Sequence, residues 1–313
     1  MIQIFRTFCF ALMVSIGASP ALPQSNPRAE IAHGDQVLVL GIPKFSMSAF
    51  IDGVVSRKEY AVHGMDVYEA GGVPYFNLIL GPRDRGWWVV HALKWDRYPS
   101  FMAEKEAEGW CAVSSEPYFL EGYVHFAVVL TKRDCLDQLR FVYEKQRDGE
   151  GVFLRDGLRA DSAKWEARRP KFGMEGNGPV NLPAGYTLKS MRVLTSGLAE
   201  YTSVIYERTG RSEQKYVADR NYDSFIYMSQ EYGSDGWWIA DLDLSQERSL
   251  GGKLDNFNVV YAPITGPLGP VEPRYADQML DHLNGLPGQR ILWVSGFERR
   301  DGRHMYWIQT EPQ

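Results

Sequence analysis

Cysteine is scarce in this chain, with three among 313 residues, at positions 9, 111 and 135. Long runs of like charge are missing as well, and 34 basic against 39 acidic side chains leave a net charge of -5, which argues against nucleic acid as the partner. The one sustained apolar run, Phe8 to Gly17, is shorter than the roughly 18 to 20 residues that cross a bilayer. Three catalytic signatures are also missing: the Gly-x-Ser-x-Gly elbow, the Gly-Lys-Ser/Thr phosphate loop and the His-Glu-x-x-His zinc motif. What is present is a folded composition, 44% apolar with 13% aromatic, above what a disordered chain carries.

The first 21 residues place Arg6 before the apolar run and end in Ser19-Pro20-Ala21, the pattern of a cleaved secretory signal. The expected mature protein is secreted or periplasmic and has no membrane span. Cleavage removes Cys9 and leaves Cys111 and Cys135, an even pair in an oxidising compartment. The segment Cys111 to Tyr118 alternates, turns through Glu121-Gly122 and returns as Tyr123 to Leu130, which carries the chain near Cys135 back beside Cys111. A disulfide between the two is expected, with two unrelated buried thiols as the alternative.

Glycine turns recur with aromatic flanks. Tyr68, Gly72 and Phe76 are spaced by fours, as are Tyr118, Gly122 and Phe126, and Val193, Gly197 and Tyr201. Two looser versions centre on Gly252 and Gly302, and the successive glycines are 50, 75, 55 and 50 residues apart. A strand and a helix precede most hairpins: Val37 to Leu40 then Phe45 to Val55, Trp87 to Leu93 then Tyr98 to Glu108, and Lys215 to Asp219 then Tyr222 to Tyr232. The third unit is expected to hold a strand from Leu139 to Tyr143 and a helix from Asp161 to Arg168, and the fifth has prolines from Pro263 to Pro273 in place of its first strand.

The predicted fold is therefore α+β, a tandem array of about five β-α-β-β units of roughly 50 residues, stacked or closed into a propeller-like ring that covers their edges and apolar faces. The expected boundaries are a signal peptide at 1–21, units 1 and 2 with the start of unit 3 at 22–169, a Pro- and Gly-rich linker-like segment at 170–185, and the rest of unit 3 with units 4 and 5 at 186–313.

Arg85-Gly-Trp-Trp-Val-Val-His-Ala-Leu93, with Tyr98 and Gly109-Trp110 after it, and the closing segment Leu292 to Ile308 resemble the bacterial tandem repeat domain, the structural repeat attached to polyglycine-hydrolase-type serine hydrolases. The chain departs from that repeat's His-Gly-hydrophobic motif, with His91-Ala92-Leu93 and Val217-Ala218-Asp219 instead. The resemblance implies a repeat protein without the hydrolase domain.

Ser212-Glu-Gln-Lys215 has the letters of a β-lactamase-like Ser-x-x-Lys, but it falls in a turn entering a strand, where residues three apart face opposite ways. The histidines His33, His63, His91, His125, His282 and His304 are spread over separate units, and each is expected to pack or cap locally. The sharper alternative is that two of His63, His91 and His125 meet beside an acid such as Glu116. Asp241 and Asp243 share one strand face, expected to be solvated. In the pairs Trp87-Trp88 and Trp237-Trp238 one member is expected in the core and the outward one is a candidate anchor, so Trp88, Trp238 and His91 are the candidate ligand-binding residues. No catalytic residue, metal or cofactor is expected. Two readings stand: a binding or interaction module for a peptide, cell-wall component or partner protein, favoured because the five units leave no room for a catalytic domain, and a secreted hydrolase of peptidase or esterase type with no visible motif.

Overall fold

The computed structural model describes residues 28–133, 138–146, 152–155, 185–196, 199–209, 214–249, 252–263, 273–299 and 301–312. The protein is α+β, with mostly antiparallel sheets. The signal at 1–21, the helix expected at 161–168, Cys135, Ser212, and all of the linker-like segment except Gly185 lie outside the described residues.

The first sheet contains β1 (Ala29–His33), β2 (Gln36–Pro43), β3 (Tyr60–Ala70) and β4 (Val73–Pro82), with α1 (Lys44–Arg57) between β2 and β3. The second contains β5 (Trp87–Lys94), β6 (Trp110–Leu120) and β7 (Tyr123–Lys132), with α2 (Tyr98–Ala107) after β5. The third contains β8 (Gln138–Gln146), β9 (Val152–Arg155), β10 (Tyr186–Ser196) and β11 (Ala199–Arg208). The fourth contains β12 (Lys215–Arg220), α3 (Tyr222–Ser234), β13 (Trp237–Ser249) and β14 (Gly252–Pro263). The last pairs β15 (Gln289–Glu298) with β16 (His304–Pro312) after α4 (Ala276–Asn284). The orders β2-β4-β3, β5-β7-β6, β8-β11-β10 and β12-β14-β13 are the same arrangement four times. In the last sheet Arg274 is the one bridging residue among the described residues, pairing with Tyr306 on the side where the others have a full strand.

Gly72 and Gly122 work as their spacing predicts, whereas Gly197 lies outside the described residues. Ala70 pairs with Val73 and Leu120 with Tyr123, so each hairpin has two loop residues. Both loop residues have positive φ, 56° and 81° at Gly71-Gly72 and 51° and 83° at Glu121-Gly122. That twist matches the strands on either side and favours glycine at the second position. Three details differ from the sequence reading. β1 and β9 are additional strands at the outer edges of the first and third sheets. The helix expected over Tyr222 to Tyr232 runs through Gly233 to Ser234, and Asn221 caps its start by accepting from the Ser224 N–H at 2.9 Å.

The strands β3, β6, β10, β13 and β15 pack on one another: β3 on β6 and β15, β10 on β6 and β13, and β13 on β15. Apolar side chains fill the space between neighbouring sheets in separate clusters. Phe76 and Met47 meet Val129 between the first and second sheets, and Phe126 meets Ile205 between the second and third. Met191 meets Val260 between the third and fourth, and Phe257 meets Trp307 between the fourth and the last. Leu38, Leu40 and Tyr68 of the first sheet share a cluster with Met279, Leu283 and Tyr306 of the last. Three glutamines lock these seams in register. Gln36 donates to Ile291 O at 3.1 Å and accepts from Ile291 N at 2.6 Å. Gln138 treats Ala112 in the same way, at 2.8 and 3.2 Å. Gln214 does so with Leu188, at 3.0 and 2.6 Å.

Candidate functional site

The ionisable groups converge where those five strands meet. Each carries a one-residue bulge, at His63, Val113, Lys189, Ala240 and Leu292 respectively. A bulge flips the alternation of side chains, so residues at the same distance beyond it face the same way. The third residue after each is Asp66, Glu116, Arg192, Asp243 and Ser295, and all five are buried. Asp241, on the same face of β13 as Asp243, is buried too. The expected solvated face of Asp241-Leu-Asp243 is thus corrected: alternation puts the two carboxylates together, and a neighbouring sheet covers them.

Arg192 lies at the middle of this cluster. Its Nη1 and Nη2 donate to Asp241 Oδ2 and Oδ1 at 2.6 and 3.0 Å, and its Nε lies 3.0 Å from Glu116 Oε1 and 2.8 Å from Oε2. Burial opposes its charge, but Asp241 and Glu116 outweigh burial and hold the guanidinium protonated. Asp66 accepts from the N–H of Gly296 at 2.9 Å and from Asn77 Nδ2 at 2.8 Å, both through Oδ2. Asp243 repeats this with Val193 N at 2.8 Å and Asn258 Nδ2 at 3.1 Å, again through Oδ2. Burial raises both acids, Asp66 to about 6 and Asp243 to about 7, against the pull of Arg192. Burial, helped by Asp66, Asp243 and Asp241, also lifts Glu116 well above the usual carboxylate range. Gly296 is required by close approach: a Cβ there would lie 2.5 Å from Asn77 Nδ2 and from the Tyr68 ring.

Trp88, on the outer strand of its sheet, is 40% exposed. Its ring is held edge-on by Phe101 and Trp110, each 6.1 Å away between centroids, and Lys105 Nζ lies 4.8 Å from its centroid. Trp238 is half-buried beside Gly233 of α3. The two tryptophan pairs are not equivalent, since Trp87-Trp88 opens β5 whereas Trp237-Trp238 opens β13. The counterpart of Trp237 is Trp110, since each stands two residues before the last paired residue ahead of the bulge on the corresponding strand.

His91 is half-buried, with Nε2 3.1 Å from the exposed Ser48 Oγ. Burial, then the charge of Lys44, lowers its pKa. His63 and His125 bond separately, to Pro82 O and Tyr123 O, so the three strand histidines do not share a site. Tyr68 Oη links His304 Nδ1 at 2.8 Å to Tyr306 Oη at 3.0 Å. His282 lies on α4, which packs against β1, and burial, Arg274 and His33 lower its pKa. Cys111 is fully buried, its Sγ 3.2 Å from Arg133 O, and Cys135 lies outside the described residues. Among the described residues no three His, Cys, Asp or Glu side chains are arranged to hold a metal ion, and no helix is long and apolar enough to cross a membrane.

The cluster around Arg192 escapes a reading of the sequence because its members come from four strands about 50 or more positions apart; the available signal was that Asp66 and Glu116 each stand six residues before a turn glycine. Comparison with protein-family models returns no match, and comparison with curated proteins returns none.

Proposed function

We propose that the protein is an exported binding module in which five β-α-β-β units close into a propeller-like ring and Trp88 anchors a peptide, a cell-wall component or a partner protein. Ring closure is supported by the first and last sheets meeting through the same devices as interior neighbours: a glutamine clamp, a carboxylate on a backbone N–H and an apolar cluster. Export is supported by the N-terminal pattern, and in an oxidising compartment Cys135 is the proposed disulfide partner of the buried Cys111. Such a bridge contributes roughly 3 kcal/mol by loop entropy. Two free thiols in protein recovered from the periplasm or medium would refute it.

The observation that carries the binding reading is Trp88, an exposed ring fixed by two aromatic neighbours and so already ordered before a ligand arrives. An aromatic anchor of this kind is worth about 2 kcal/mol, some 30-fold in affinity. Trp88→Ala is expected to reduce capture on insoluble cell-wall material or an immobilised peptide library by about that factor while leaving Tm nearly unchanged. A large loss of stability with capture intact would assign Trp88 to packing instead.

A secreted hydrolase is the second reading, and the contact that favours it is Ser48 Oγ to His91 Nε2. The lowered pKa keeps His91 neutral and able to take a hydroxyl proton. Its Nδ1 is buried without a hydrogen-bond partner, so no carboxylate orients the ring as a triad requires. Covalent labelling of Ser48 by a fluorophosphonate, lost in His91→Ala, would move the assignment from binding to catalysis.

A further inference from the structure

The junction of β3, β6, β10, β13 and β15 holds four carboxylates, Asp66, Glu116, Asp241 and Asp243, around one guanidinium, Arg192. If all were ionised, one positive charge would face four negative ones in a site closed to water, where unpaired charge is expensive. Arg192 is already committed in bidentate fashion to Asp241 and through Nε to Glu116. Asp66 and Asp243 have only neutral donors, a backbone N–H and an asparagine each. Both bonds go to one oxygen, Oδ2, in each case, which leaves Oδ1 to carry a proton. The fifth position, Ser295, brings no charge, and its hydroxyl has no hydrogen-bond partner. Asp66 in turn acts on Tyr68 and Tyr306, both uncharged because burial raises their pKa.

We infer that this junction is a proton-responsive joint: with Asp66 and Asp243 neutral the sheets close tightly round Arg192, and ionisation of those two acids loosens the seams they hold. Asp66 grips the last sheet through Gly296 and Asp243 grips the third through Val193, so both acids sit across seams rather than within one sheet. The direction follows from linkage. An acid whose folded pKa is raised binds its proton more tightly when folded, so the stability that its proton supplies is complete below about pH 4 and is lost as pH rises through 6 to 7. The lowered pKa values of His91 and His282 act in the opposite sense, costing stability as pH falls, and so cannot produce this loss. The inference does not depend on whether the protein binds or hydrolyses its ligand.

Thermal melts of the purified chain at pH 5.5 and pH 8.0 test it. The Tm is expected to be higher at pH 5.5 by about 5 °C or more, and this difference is expected to fall by at least half in the Asp66→Asn, Asp243→Asn double variant. Equal Tm values at the two pH values, or an undiminished difference in the variant, would overturn the inference. Hydrogen exchange on the native chain tests it without any substitution. After correction for intrinsic base catalysis, protection of the Gly296 and Val193 amides should drop at pH 8.0, and unchanged protection would overturn the inference as well.

Discussion

The seam between the first and last sheets and the seam between the third and fourth are built from residues far apart in the chain, yet they use the same grip. In each, a glutamine brackets the residue before a bulge, and an aspartate further along accepts from a backbone N–H of the adjoining sheet. They differ in charge. The third-to-fourth seam adds the bidentate Arg192–Asp241 pair, whereas the first-to-last seam has the neutral Tyr68–Tyr306 contact in the neighbourhood of its aspartate. Side chain to backbone bonds therefore suffice to fix register between sheets. The ion pair is an addition at one side of the junction, and it carries the larger consequence when broken.

The largest effect is expected from Arg192→Ala. Removing the guanidinium leaves Asp241 and Glu116 buried without a counter-charge, which costs about 3–5 kcal/mol where such pairs have been broken by truncating one partner. Denaturant titration at pH 7 would register it as a lower midpoint. The loss should shrink toward pH 5, where Glu116, raised by burial, can take up a proton. A loss under about 1 kcal/mol at pH 7 would mean that the ion pair adds little and that the two seams are equivalent after all.

The glycine spacing and the strand-helix-hairpin order were legible because they are local. Gly72 and Gly122 sit where φ must be positive, and the strand and helix of a unit announce themselves through apolar runs and breakers. The junction was not legible because alternation reveals which residues share a face but not what covers it. Asp241 and Asp243 share a face as read, and only the approach of β10 makes that face interior. Arg192 illustrates the same limit, since a lone arginine in an alternating strand reads as outward-facing. The two tryptophan pairs looked alike because both open a strand; which strand of the sheet they open depends on pairing, which spacing does not disclose. Trp88 could be named as a candidate, but the rings that frame it, Phe101 and Trp110, come from a helix and a strand that meet only in the folded sheet.

The smaller and sharper test compares Gln36→Ala with Gln138→Ala. Gln36 ties the first sheet to the last and Gln138 ties the third to the second, with matching bonds to Ile291 and Ala112. Each substitution leaves one buried N–H and one buried C=O without the partner that the glutamine supplied, at a cost of about 2 kcal/mol. If the first and last sheets meet as interior neighbours do, the two variants should lose nearly equal stability, because opening either seam breaks the same cooperative unit. If that meeting is a loose contact between chain ends, Gln36→Ala should cost almost nothing in global unfolding, and its effect should appear instead as fast exchange confined to the Ile291 amide. Denaturant midpoints for the pair, with exchange rates at Ile291 and Ala112, separate a closed ring from an open array.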